Sequence, residues 1–284
     1  VSFTPEQAAF RRTGIGASES PCLIGVSPFG NEISVWCEKV GIEIREATDE
    51  MELGLLLEDG ARKLYEKKTG FETAHFGSIR HAKYPWMVAT PDLAVFGQRR
   101  LGQIKIVGHW MAHHWTEGVP DYVEVQVQHE MEVADADVCD VIAIIGGTDF
   151  RIFEVERDRE LGADLVEVCR SFWEKYVVTN EMPDPDGSAI ADAALKARLK
   201  FQRPELVAAT PEAERLGKAW LEADGRIRRA EKDQAIAEQR LKLLIGESAG
   251  IEGESFRVTW KANKKGTRVF LLKALGMKEG EEAA

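Results

Sequence analysis

The chain has 284 residues and a mass of 31.7 kDa, enough for one large core or one core with an appendage. Its 44% hydrophobic and 30% charged content is that of an ordinary soluble domain, no apolar run is long enough for a bilayer, and the opening residues do not read as a signal peptide. The formal net charge of −11 argues against a general nucleic-acid coat, yet basic residues gather at Arg11-Arg12, Arg99-Arg100, 196–203 and 261–268, so local positive surfaces are compatible with it.

In chain order, Gly14-Ile15-Gly16-Ala17-Ser18 reads as a tight turn into a helix, with Ser18 or Ser20 as N-cap and Pro21 in the first turn. Residues 51–69 have helical period, with Leu53, Leu56, Leu57, Ala61 and Leu64 on one side and Gly70 as terminator. Residues 87–90 read as a strand, 93–96 as its continuation past a kink, and 101–107 as the next strand. A helix follows at 122–134, two strands at 138–146 and 150–155 around Gly146-Gly147-Thr148-Asp149, and a helix at 159–178. The segment 180–188, with two prolines among polar residues, has the composition of a linker, which divides the chain into a core (1–185) and an appendage (186–284).

In that appendage Leu216, Trp220, Ala223, Ile227, Ala230, Gln234, Ala237, Leu241 and Leu244 alternate steps of four and three across about 204–246. Such a seam fits a coiled-coil arm that meets a partner, and equally a helix packed on its own domain. Phe256, Val258 and Trp260 alternate as a strand in a small basic hairpin, about 255–273. The four cysteines are scattered, which fits a reducing cytoplasm and argues against zinc and iron–sulfur sites. His113 and His114 are adjacent rather than spaced to share a helix face, so with Trp110 and Trp115 nearby they suit packing or a path along DNA better than a metal. No phosphate-cradling glycine loop is present.

One ordered set carries chemistry. Phosphodiester hydrolysis needs a hard cation held by oxygen ligands, an activated water and a charge that steadies the developing anion. Asp92 follows Thr90-Pro91 at a strand end, and the next strand carries Gln103-Ile104-Lys105. Asp92, position 103 and the Ile104 carbonyl would hold the cation. Lys105 shares a strand face with residue 103 and would orient the attacking water. Glu58, on the preceding helix, is a further candidate ligand. Taken singly, each residue has a bland reading as a turn residue or a solvated charge.

Taken together, the motifs are similar to those of the YqaJ-type viral recombinases, phage alkaline exonucleases related to lambda exonuclease, over roughly 8–180. Arg11 or Arg12 with Gly14–Ser18 resembles the family's Arg…Gly-Ile-Gly-Ala-Ser opening, and Gly54–Glu58 its Gly-x-x-x-Glu. Thr90-Pro91-Asp92 resembles its Ser/Thr-Pro-Asp, residues 103–105 its Glu-x-Lys, and Gln126-Val127-Gln128 its Gln-x-Gln helix. The resemblance implies an α+β, restriction-endonuclease-like core with a central mixed sheet flanked by helices. It implies 5′-to-3′ digestion of one strand of linear duplex DNA with Mg²⁺ (Mn²⁺ as substitute), leaving 3′ overhangs. It further implies a homo-oligomeric, trimeric ring, hand-off to a phage single-strand annealing protein, and a place in the bacterial host cytoplasm. Arg11, Arg12, Ser18, Gln126 and Gln128 are then the expected contacts to DNA and its 5′-phosphate; the guanidinium fork of Arg11 and the Ser18 hydroxyl suit a phosphate.

Position 103 departs from the pattern, because glutamine brings an oxygen but no charge. An engineered change that arrests cutting, a weakly active natural variant and a non-catalytic end-binding descendant each account for it. The intact remainder of the set favours the first. An endonuclease on the same fold and an α+β protein with unrelated acids are the competing functional readings.

Overall fold

The computed structural model describes residues 9–42 and 49–275, divided into two compact units, Val1–Gln202 and Arg203–Ala284.

In the first unit a five-stranded mixed sheet runs β2 (Thr73–His75), β5 (Leu93–Val95), β6 (Arg100–Val107), β7 (Val138–Ile145), β8 (Asp149–Glu156), with β6 and β7 parallel and the other pairs antiparallel. A second, three-stranded sheet sets β4 (Met87–Ala89) between β1 (Ile15–Gly16) and β3 (Ile79–Arg80). Thus β4 and β5 do not form one kinked strand. The chain leaves one sheet at Ala89 and enters the other at Leu93, and Asp92 lies at that crossing.

Side-chain alternation in β6 and β7 sorts the core. Leu101, Val107, Cys139, Val141 and Ala143 pack with Val123, Val127 and Met131 of helix α4 (Asp121–Ala134). On the opposite face Ile104 and Ile142 pack with Leu93, Val95 and with Ala61 and Tyr65 of helix α3 (Asp49–Thr69). The leucines expected along one side of α3 do not make this contact: Leu53, Leu56, Leu57 and Leu64 are exposed. Its docked face is Ala61 and Tyr65, pinned by a hydrogen bond from the Tyr65 hydroxyl to buried Asp140. Glu58, one turn before Ala61, shares that side of the helix.

A third cluster joins α1 (Ser20–Leu23), α2 (Glu32–Val40), α5 (Arg159–Phe172) and α6 (Ala189–Arg198) around fully buried Trp36. The α2 start is a reciprocal capping box between Asn31 and Ser34. No hydroxyl caps α1; Glu19 stands at that position, and the Ser20 hydroxyl turns inward to His129 Nδ1 at 2.5 Å. The helix expected over 159–178 is α-helical to Phe172 and widens into a π-turn at Trp173–Val178. Residues 189–198 fall with the first unit despite the linker before them, because Ala191 and Ala194 are buried in this cluster.

The second unit holds the long helix α7 (Pro211–Ile245) and an antiparallel sheet of β9 (Gly250–Glu252), β10 (Phe256–Ala262) and β11 (Arg268–Ala274). The proposed seam residues Leu216, Trp220, Ile227 and Leu244 are exposed.

Candidate nuclease site

Strand pairing explains why Asp92 meets residues 103 and 104. Leu93 pairs with Gly102, and a Cβ at Gly102 would lie 2.4 Å from Leu93 Cδ1, so only glycine lets the leucine cross β6 there. The β5–β6 ladder ends at that pair, and the side chain before it takes over: Asp92 Oδ2 accepts the Ile104 N–H at 2.6 Å and the Gln103 Nε2–H at 2.6 Å. Burial pushes the Asp92 carboxyl up to about 6, against the Ile104 N–H and the positive charge of Lys105, which favour the ionised form.

Gln103 and Lys105 sit on the α4 face of β6. Lys105 Nζ donates to Gln126 Oε1 at 2.7 Å, and Gln126 Nε2 donates to Glu130 Oε1 at 2.8 Å. Burial, then the nearby Asp92, pushes Glu58 up to about 7; Lys105 opposes this. Glu58, Asp92, Gln103, Lys105 and Gln126 are therefore brought to one place, at the end of β5 and in the middle of β6, between α3 and α4.

Three of the expected DNA contacts have structural partners. Gln128 is 1% exposed; its Nε2 donates to the Glu156 carbonyl at 2.8 Å and its Oε1 accepts the Asp158 N–H at 2.8 Å. It joins α4 to the start of α5 and does not face the Asp92 site. Gln126 is buried as well, and holds Lys105. Arg11 donates through Nε to Glu38 at 2.8 Å and lies 3.4 Å from Glu19, whose other partners are the Gly16 N–H and Lys39 Nζ, each at 2.6 Å. Arg12 and Ser18 are exposed. Sequence reasoning missed Glu19, which organises this corner, and His129, which ties the Ser20 hydroxyl to the Val88 carbonyl 3.1 Å away. It also missed Glu130, whose signal was available: a residue four places after Gln126 shares its helix face. His109–Trp115 forms a 3-10 turn with Trp115 buried and Trp110 exposed.

Among the described residues, no three Asp, Glu, His or Cys side chains converge as a ready-made metal cage. The donor chemistry nevertheless fits a hard cation. Two buried oxygens here, Gln103 Oε1 and Glu130 Oε2, have no hydrogen-bond partner, and the Asp92 carboxylate and Ile104 carbonyl are oxygen donors beside them.

Comparison with known proteins shows what the chain is similar to. A family model for the YqaJ-like viral recombinase domain matches residues 7–137. The uncharacterized protein YqaJ of Bacillus subtilis (strain 168) is 30% identical over 194 residues, 66% of this chain and 61% of the relative, so the chain spans under two thirds of that protein's length. An alkaline exonuclease from Laribacter hongkongensis superposes with a TM-score of 0.55 at 23% identity, covering 63% of this chain and 95% of that one. Its complex with dAMP gives 0.53 at 22% identity, covering 61% and 92%. These structures share the fold, a mixed sheet with flanking helices. Residues 7–137, which contain Asp92, Gln103, Lys105 and both glutamines of α4, thus match the YqaJ-like viral recombinase domain.

Proposed function

We propose that the chain is a divalent-metal-dependent deoxyribonuclease, a 5′-to-3′ exonuclease that digests one strand of linear duplex DNA and leaves 3′ single strands for phage recombination. The observation that carries this reading is the junction of Asp92, Gln103 and Lys105 at the point where the β5–β6 ladder stops, with Glu58 beside it. Asp92, Gln103 and the Ile104 carbonyl, with Glu58 directly or through water, would hold Mg²⁺ or Mn²⁺. The cation would supply a more acidic water and a charge on the scissile phosphate. Lys105, held by Gln126, orients the nucleophile and steadies the anion at the phosphorus. Arg12 and Ser18 are exposed for a terminal phosphate, while Arg11 must leave Glu38 to join them.

The implied trimeric ring, the annealing-protein partner and the bacterial cytoplasm belong to the same proposal. Among the described residues no helix is long and apolar enough to cross a membrane.

The deciding assay compares the chain and its Gln103→Glu variant on 5′-phosphorylated linear duplex, with and without Mg²⁺. The variant is expected to digest linear DNA at least tenfold faster than the parent and to spare covalently closed circles. Cutting of closed circles would assign an endonuclease. A second reading, a non-catalytic protein that holds DNA ends, draws on the Gln103 N–H occupying Asp92 Oδ2; it requires equal end binding and no digestion by either protein.

A further inference from the structure

Asp92 and, from α3, Glu58 are the carboxylates a cation at the end of β5 would meet, since Gln103 is neutral. The side chain best placed to add another is on α4. Glu130 is 1% exposed, yet among the described residues no basic side chain forms an ion pair with it. One oxygen, Oε1, accepts from Gln126 Nε2 at 2.8 Å, while the other, Oε2, is buried with no partner. The same Gln126 amide accepts from Lys105 Nζ at 2.7 Å, so a single side chain links Glu130 to the lysine two residues along β6 from Gln103. Gln103 is 6% exposed, and its Oε1 is also without a partner.

A carboxylate that merely packed in the core would have donors for both oxygens, because an orphaned buried oxygen forfeits its hydration without return. Here two such oxygens occur on elements packed against each other, one on α4 and one on the α4 face of β6. Paired orphans of this chemistry suit a hard cation, which requires several oxygen donors and at least some negative charge.

We propose that Glu130 is a metal ligand, replacing from α4 the carboxylate that β6 lacks at position 103. On the nuclease reading, on which this inference rests, the Asp92 and Glu130 carboxylates, the Gln103 amide oxygen and the Ile104 carbonyl form the donor set, with Glu58 directly or through water. The negative charge that β6 lacks at position 103 is then supplied from α4. Glutamine at 103 becomes part of a working arrangement, and the chain as it stands binds a divalent cation.

Calorimetric titration of the full chain with Mn²⁺ alone tests this, alongside Glu130→Gln, Asp92→Asn, Gln103→Glu and the double variant Gln103→Glu/Glu130→Gln. Melting curves in chelator report folding independently, and an amide at position 130 keeps an oxygen for the Gln126 N–H. The expected results are Mn²⁺ binding by the parent, at least tenfold weaker binding by Glu130→Gln, and recovery in the double variant as the carboxylate returns to β6. Digestion of linear duplex should follow the same order. Equal affinity in the parent and Glu130→Gln overturns the Glu130 assignment. So does a parent that binds nothing while Gln103→Glu binds. In the first case loss of binding in Asp92→Asn keeps the nuclease reading; in the second, the binding by Gln103→Glu keeps it. If no protein in the set binds Mn²⁺ or depends on Asp92, the nuclease reading falls, and the ligand assignment with it.

Discussion

Three acids of the site hold their protons to unusually high pH. Burial first, and mutual repulsion for two of them, raises Asp92 from 3.8 to about 6, Glu58 from 4.5 to about 7, and Glu130 from 4.5 to about 8. The unfolded chain releases these protons near pH 4, so between there and pH 8 the native state binds more protons. Stability from these groups is therefore complete below pH 4 and is lost as pH rises through the folded values. His129 acts in the opposite sense. Burial lowers it from 6.5 to about 3, so its contribution is complete above 6.5 and declines as pH falls. We expect the melting temperature in chelator to peak on the acid side of neutrality and to decline toward pH 9. Glu130→Gln should flatten the alkaline decline, and a divalent cation should reverse it by binding the native state. Scanning calorimetry at stepped pH, with and without Mg²⁺, checks this; an alkaline limb unchanged by both treatments would contradict it. Cutting by Gln103→Glu should rise over the same interval, as the site sheds protons that compete with the metal.

At the scale of elements, α4 does two jobs with alternate side chains: Gln126 and Glu130 face β6, while Gln128 ties the helix to the start of α5. Gln128→Ala leaves the Asp158 N–H and the Glu156 carbonyl without their side-chain partner, a loss of about 1–3 kcal/mol in urea unfolding. DNA-end binding per folded molecule should be unchanged. Weaker end binding at full stability would restore Gln128 to the DNA interface. This division was not legible in the sequence, where Gln-x-Gln reads as one motif. What was legible is periodic: the strands at 87–89, 100–107, 138–145 and 149–156 and the helices at 49–69 and 121–134 fall within two residues of their expected bounds. Short elements without a repeat, such as β1, β3 and α6, gave no such signal, because non-local packing defines them. The site followed the same rule. Asp92, Gln103 and Lys105 were readable from strand order; Glu130 was readable only as a helix-face neighbour of Gln126, and its place in the site required knowing that α4 lies on the β6 face carrying residues 103 and 105.

At the scale of the molecule, the acidic balance is reinforced by internal pairing. Arg99 bonds Asp135 and Asp137, and Arg100 bonds Asp140 and Glu154, so one basic cluster expected at the surface is neutralised within the fold. Arg268 is likewise engaged, by the carbonyls of Trp260, Gly246 and Ser248. On the proposed function, affinity for DNA would then come from a few local cations and the metal, rather than from the overall field. Each of the two compact units also has its own buried residues. Those of the second include Ile245, 2% exposed, and Val258, fully buried. Ile245→Ala removes a buried side chain and should cost about 2–5 kcal/mol of the stability of that unit. If the units unfold independently, calorimetry will resolve two transitions. The substitution is expected to lower one, while Mn²⁺ at the proposed Asp92 site is expected to raise the other. A single transition moved by both treatments would instead show that metal binding in the first unit and packing in the second are energetically coupled.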